Sequence, residues 1–175
     1  MTRDQKKAKE VIVIAGAPGT GKSSVVKLLQ KKLQSPCFEF GWIPEFRNKN
    51  GKEISYSEEE ALAFENLHLV VKNYIKHGFR NIILSDFEDK RIVELHKSYA
   101  DTDYILFTLF VSDDELLKGR VLDDTRSSDY RDYKEAIKIN RRIMSRELLP
   151  HETKIDSTSA SLEEVMGEIL SHINR

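Results

Sequence analysis

Val11-Ile-Val-Ile-Ala-Gly16-Ala-Pro-Gly-Thr-Gly21-Lys22-Ser23 is the stretch from which the rest of the chain is read. Its first half is a continuous β-branched run, the signature of a strand buried on both faces. Its second half matches G-x-x-x-x-G-K-[ST] in full, directly after the strand. Glycines let such a loop turn tightly and bring backbone N–H groups close to phosphate oxygens. A helix opening at Lys22 points its positive dipole end at the same place. Gly16, Ala17, Pro18, Gly19, Thr20, Gly21, Lys22, Ser23 and Ser24 are therefore the expected nucleotide-binding set. Lys22 is expected at the β- and γ-phosphates, and the Ser23 hydroxyl as one ligand to octahedral Mg²⁺.

Outward from this stretch, strand-like and helix-like segments alternate. Helical spacing of Val25, Leu28, Leu29 and Leu33 follows the loop. Further strands are expected at 37–41, 81–85, 104–111 and 153–156, and helices at 57–77, 90–99, 113–122, 132–149 and from Leu162. Asn48 to Lys52 reads as a polar loop. Ser57/Glu60, Ser112/Glu115 and Ser161/Glu164 each have the serine-to-glutamate spacing of a reciprocal helix cap. Alternation of this kind implies right-handed crossovers and a parallel sheet of about five strands between helical layers, a three-layer α/β/α architecture.

The chain has 175 residues, the size of one domain, with a lid segment expected at about 117–131. Lysine plus arginine number 28 against 29 acidic residues, a net charge of −1, which argues against nucleic acid or an anionic membrane as the partner. A single cysteine, Cys37, excludes an intrachain disulfide and suits a cytoplasmic setting. The loop motif implies a nucleoside triphosphate but leaves the acceptor open. Asp86-Phe-Glu-Asp89 does not fit the D-x-x-G of a regulatory GTPase, and Asn48-Lys-Asn-Gly51 does not fit N-K-x-D.

These features together resemble the small P-loop kinases, which include the chloramphenicol phosphotransferase-like, shikimate, gluconate and nucleotide kinases. Phe40-Gly41 after the second strand, the 104–111 strand followed by Ser112 to Arg120, and Ile155-Asp-Ser-Thr158 before the last helix carry the resemblance. It implies a P-loop NTPase sheet in the order 2-3-1-4-5, ATP and Mg²⁺ as cofactors, and a small-molecule hydroxyl as acceptor. It also implies that Arg120 and Arg126 act as lid arginines over the phosphates, and that Ser157 and Thr158 form the adenine-side loop. The bland alternative for the arginines is a solvated helix face.

Asp86, directly after the third strand, is a candidate for orienting the acceptor hydroxyl or a Mg²⁺-bound water; a helix-capping aspartate is the alternative. Many relatives place an aspartate just after strand two. Here that segment reads Phe40-Gly-Trp-Ile-Pro-Glu45-Phe-Arg47, so Glu45 is the candidate general base. Trp42 is read either as an acceptor wall or as core, and Arg47 as a clamp for an anionic acceptor. A nucleotide-binding module without transfer activity and a nucleoside or nucleotide kinase stand as competing readings.

Overall fold

In the computed structural model, residues 8–43, 46–125 and 128–173 are described, Trp42 by its backbone alone. Strand β1 (Val11–Gly16) occupies the centre of a five-stranded parallel sheet. β2 (Cys37–Glu39), two short hairpin strands β3 (Asn48–Lys49) and β4 (Lys52–Glu53), β5 (Ile82–Ser85), β6 (Tyr104–Phe110) and β7 (Glu152–Asp156) follow along the chain. The main sheet runs β2-β5-β1-β6-β7, which is the expected 2-3-1-4-5 order once the hairpin is set aside.

The alternation of side chains along β1 divides the core. Ile12 and Ile14 pack with Val25 and Leu29 of α1 (Lys22–Leu33) and with Val165 and Ile169 of α6 (Leu162–Ile173). Val11, Val13 and Ala15 pack with Leu67 and Val71 of α2 (Tyr56–Lys76) and Leu95 of α3 (Asp89–Ser98). Every residue from Val11 to Ile14 is fully buried, and each contributes about 2 kcal/mol through apolar transfer. A third cluster joins α4 (Asp114–Leu122) to α5 (Tyr133–Ser145) through Leu117, Val121 and Ala136. Buried Asn140 on α5 donates to the Val111 carbonyl and accepts from the Val111 N–H, tying that pair to the end of β6.

Several boundaries differ from the sequence reading. The second strand stops at Glu39, and Phe40–Trp42 form a 3₁₀ turn. The polar 48–52 run is a hairpin, because Asn50 and Gly51 both take positive φ, as a tight two-residue turn requires. Ser55, not Ser57, caps α2 by accepting from the Glu58 N–H, since Ser55 is the residue with extended backbone. Asp113, not Ser112, caps α4, and its carboxylate accepts from two backbone N–H groups. Ser161 and Glu164 do form the reciprocal cap. The fifth helix ends at Ser145; extended Arg146 turns its guanidinium onto Glu152, which is buried and also accepts from the Leu149 N–H.

Candidate active site

The loop between β1 and α1 is held by contacts that demand small residues. A Cβ on Gly16, whose φ is 140°, would stand 2.4 Å from the Leu109 carbonyl oxygen of the neighbouring strand. Gly21, φ 92°, is the N-cap of α1, and a Cβ there would meet nothing within 4 Å. No side chain caps this helix and its first turn carries no acid, whereas the first turns of the other five α-helices each carry at least one. The first-turn N–H groups and the dipole of α1 therefore face the loop uncompensated. Buried Thr20 donates to the Ala17 carbonyl at 2.9 Å, and Lys22 Nζ lies over the loop, donating to the same carbonyl at 2.9 Å.

The loop is coupled to the turn after β7. Ser157 Oγ donates to the Thr20 carbonyl at 3.0 Å, and the Ser157 N–H bonds Phe110 O. The Arg120 guanidinium, projecting from α4, donates to the carbonyls of Ser157 and Thr158 at 3.0–3.1 Å. Thr158 itself accepts from the Ser112 N–H. Arg120, Ser157 and the loop are thus in one constellation, with Ser24, Ala160 and Leu162 lining a shared cavity of about 220 Å³.

Lys22 and Ser23 sit between two larger cavities. One, of about 460 Å³, is ringed by Gly19, Gly21, Ser24, Lys27, Arg120 and Asp123. The other, of about 400 Å³, is lined by Pro18, Glu39, Ser85, Asp86, Ser128 and Tyr130. Asp86 follows β5 with φ 68°, a conformation that aspartate tolerates better than most residues and that clusters at functional sites. Its Oδ2 would lie 3.2 Å from a Cβ on Gly41, so the 3₁₀ turn approaches it closely.

Glu39 escaped the sequence reading. The strand expected at 37–41 would place it in a strand interior; the stop at Glu39 instead puts it on the cavity wall with Asp86. The pairing of Glu39 with Ser85 in the β2–β5 register brings the two carboxyl-end residues level. A charged residue within an otherwise apolar strand was the available signal.

Arg47 does not line this cavity; its Nε donates to Glu59, a glutamate with 3% of its surface exposed, at 2.6 Å. The reason is local: α2 begins early enough to bury both Glu59 and Glu60, and each draws a cation. Glu60 takes Arg91 in a two-pronged pair and Lys90 at 3.0 Å. Arg91, and then Lys90, hold the Glu60 carboxyl below the usual carboxylate range. Glu45, Arg126 and the Trp42 side chain lie outside the described residues. His68 is half-buried against the Tyr99 ring, 4.9 Å between centroids, and burial pushes its pKa down.

Among the described residues no group of three or more His, Cys, Asp or Glu side chains forms a metal cage. The oxygen donors of Ser23, Glu39 and Asp86 around one cavity suit a hard cation that keeps most of its shell from phosphate and water. No helix among the described residues is long and apolar enough to cross a membrane.

Comparison with known proteins agrees with this geometry. The family model described as chloramphenicol phosphotransferase-like protein matches residues 9–174. A gluconokinase from Sinorhizobium meliloti 1021 superposes with a TM-score of 0.63 at 14% identity, covering 93% of this chain and 90% of that one. Shikimate kinase from Acinetobacter baumannii, in complex with shikimate, gives 0.56 at 19% identity over 96% of this chain and 94% of that one. A cytidylate kinase from Buchnera aphidicola subsp. Baizongia pistaciae (strain Bp) is 38% identical over 69 residues, 39% of this chain. The chain spans 28% of the length of that curated relative.

Proposed function

The chain belongs to the chloramphenicol phosphotransferase-like family, and from that we propose that it is a kinase moving the γ-phosphoryl of ATP to a hydroxyl of a small molecule. The single observation carrying this is the position of Lys22 and Ser23 on the border of two cavities, one loop-walled with Arg120 and one with Glu39 and Asp86. The first fits the phosphates of the donor and the second fits the acceptor. Phosphoryl transfer is mostly positioning and charge stabilisation, and this arrangement supplies both.

The first-turn N–H groups of α1 and the ammonium of Lys22 hold the β- and γ-phosphates. Ser23 would hold Mg²⁺, which supplies charge neutralisation at the phosphates. Arg120 and the Ser157–Thr158 turn wall the nucleotide side. The acceptor oxygen attacks the γ-phosphorus, the bond from that phosphorus to the β-bridging oxygen breaks, and ADP leaves. Asp86 accepts the proton released by the hydroxyl, a role its place at the carboxyl end of β5 favours. Arg126 and Glu45 remain candidates for the lid and the acceptor side. Glu39 at the end of β2 favours transfer over a binding module that lacks a carboxylate there.

Calorimetry with Mg·ATP tests the donor side: Lys22→Ala abolishes binding, and undiminished binding in that variant refutes the loop assignment. Acceptor-dependent ADP release across alcohols, sugars, nucleosides and cytidine monophosphate tests the transfer, and Asp86→Asn lowers its kcat by about 10²–10⁴-fold. ADP release that no acceptor stimulates refutes it.

A further inference from the structure

The side chains on the acceptor wall speak to the kind of molecule the wall receives. Glu39 and Asp86 both line it, and neither has a hydrogen bond or ion pair among the described residues. Ser85, 4% exposed, lines the same cavity, and its hydroxyl has no hydrogen-bond partner among the described residues. An unpaired hydroxyl on a nearly buried residue, opening into the cavity beside two carboxylates, makes a recognition surface for a ligand that brings hydrogen-bond donors. Ser128 and Tyr130 add two more hydroxyls from the lid side. The one cation on the wall among the described residues is Lys22, which belongs to the phosphate loop.

Three nearby cations are held away from the wall. Arg47 is taken by Glu59, and Arg91 and Lys90 by Glu60, both glutamates being 3% exposed. A carboxylate or phosphate on the acceptor would meet two like charges, and among the described residues the only cation on that wall, Lys22, is assigned to the donor phosphates; specificity by repulsion exploits such an imbalance.

We infer that the acceptor carries an ammonium group beside its reacting hydroxyl, as an amino sugar or amino alcohol does. Glu39 receives the ammonium, while Ser85 and the lid hydroxyls take the neighbouring hydroxyls of the acceptor. This rests on the kinase reading above and names the substrate class of the same cavity.

The test uses the full chain saturated with Mg²⁺ and a non-hydrolysable ATP analogue, with three ring-matched probes titrated by NMR: glucosamine, glucose and glucuronate. Glucosamine binds about tenfold more tightly than glucose, and glucuronate binds most weakly. Glu39→Gln removes the glucosamine advantage, and Glu39→Asp, which restores the charge, keeps most of it. Glucuronate binding as well as glucosamine, equal binding of all three, or binding of none overturns the inference while leaving the kinase reading intact. An analogue that fails to bind overturns the kinase reading, and the inference falls with it.

Discussion

Two glycines of the phosphate loop separate the structural from the functional demands on that loop. Gly16→Ala and Gly21→Ala make the same chemical change, both at positive φ. Placing an L-residue in the left-handed region costs about 1–2 kcal/mol, and the loss of unfolded-state freedom returns about 0.4–1 kcal/mol. At Gly21 nothing lies within 4 Å of the new methyl, so the net cost is about 1 kcal/mol. For a chain of this size that is a fall in Tm of about 3 °C. At Gly16 the methyl meets the Leu109 carbonyl oxygen at 2.4 Å, an atom fixed by the β1–β6 pairing. Relief needs the two central strands to part, and the total rises to about 3–5 kcal/mol, or roughly 10 °C. Thermal unfolding by circular dichroism reads the stability difference. Calorimetry with Mg·ATP reads the other half: the Gly21 methyl occupies the space where phosphate sits, and affinity falls at least about 100-fold although the fold survives. Equal loss of stability in the two variants refutes the steric argument. Normal ATP affinity in Gly21→Ala refutes the placement of phosphate.

Glu60→Gln leaves Arg91 and Lys90 without their buried partner and costs about 2–3 kcal/mol at pH 7, read by urea denaturation. The folded carboxyl is held low by Arg91, so its contribution is present at neutral pH and fades below about pH 4.5; the variant's acid-unfolding curve is correspondingly shallower. His68 behaves in the same direction at higher pH: its folded pKa lies below its unfolded one, so stability declines as pH falls below about 6.5, and His68→Phe flattens that slope while keeping the ring contact with Tyr99. Arg120→Ala releases the carbonyls of Ser157 and Thr158, and hydrogen exchange at the amides of 157–160 quickens with little change in Tm.

What the sequence disclosed was local in origin. A β-branched run, a glycine spacing and a serine-to-glutamate cap are each encoded within a few residues, and β1, the phosphate loop and the Ser161 cap follow from them. The strand order came through resemblance to a family. Glu39 and Ser85 were opaque because their meaning depends on where β2 stops and how it registers against β5, a fact of the sheet. Arg47 was read as a clamp for the same reason: the buried glutamate that holds it lies twelve residues on, and its burial depends on which serine starts α2. Alternative caps at Ser55 and Ser57 have the same spacing, and packing chooses between them.

The bond from Ser157 to the Thr20 carbonyl spans 137 positions of the chain. Synthesis is vectorial, so Thr20 leaves the ribosome long before its partner is made. Until β7 docks on β6, the phosphate loop lacks the hydroxyl that braces it and the turn that Arg120 grips. A nascent chain carrying the whole G-x-x-x-x-G-K-S motif is therefore still an incomplete nucleotide receptor. On the kinase reading proposed above, the early chain carries the whole motif before the groups that complete the ATP site are made.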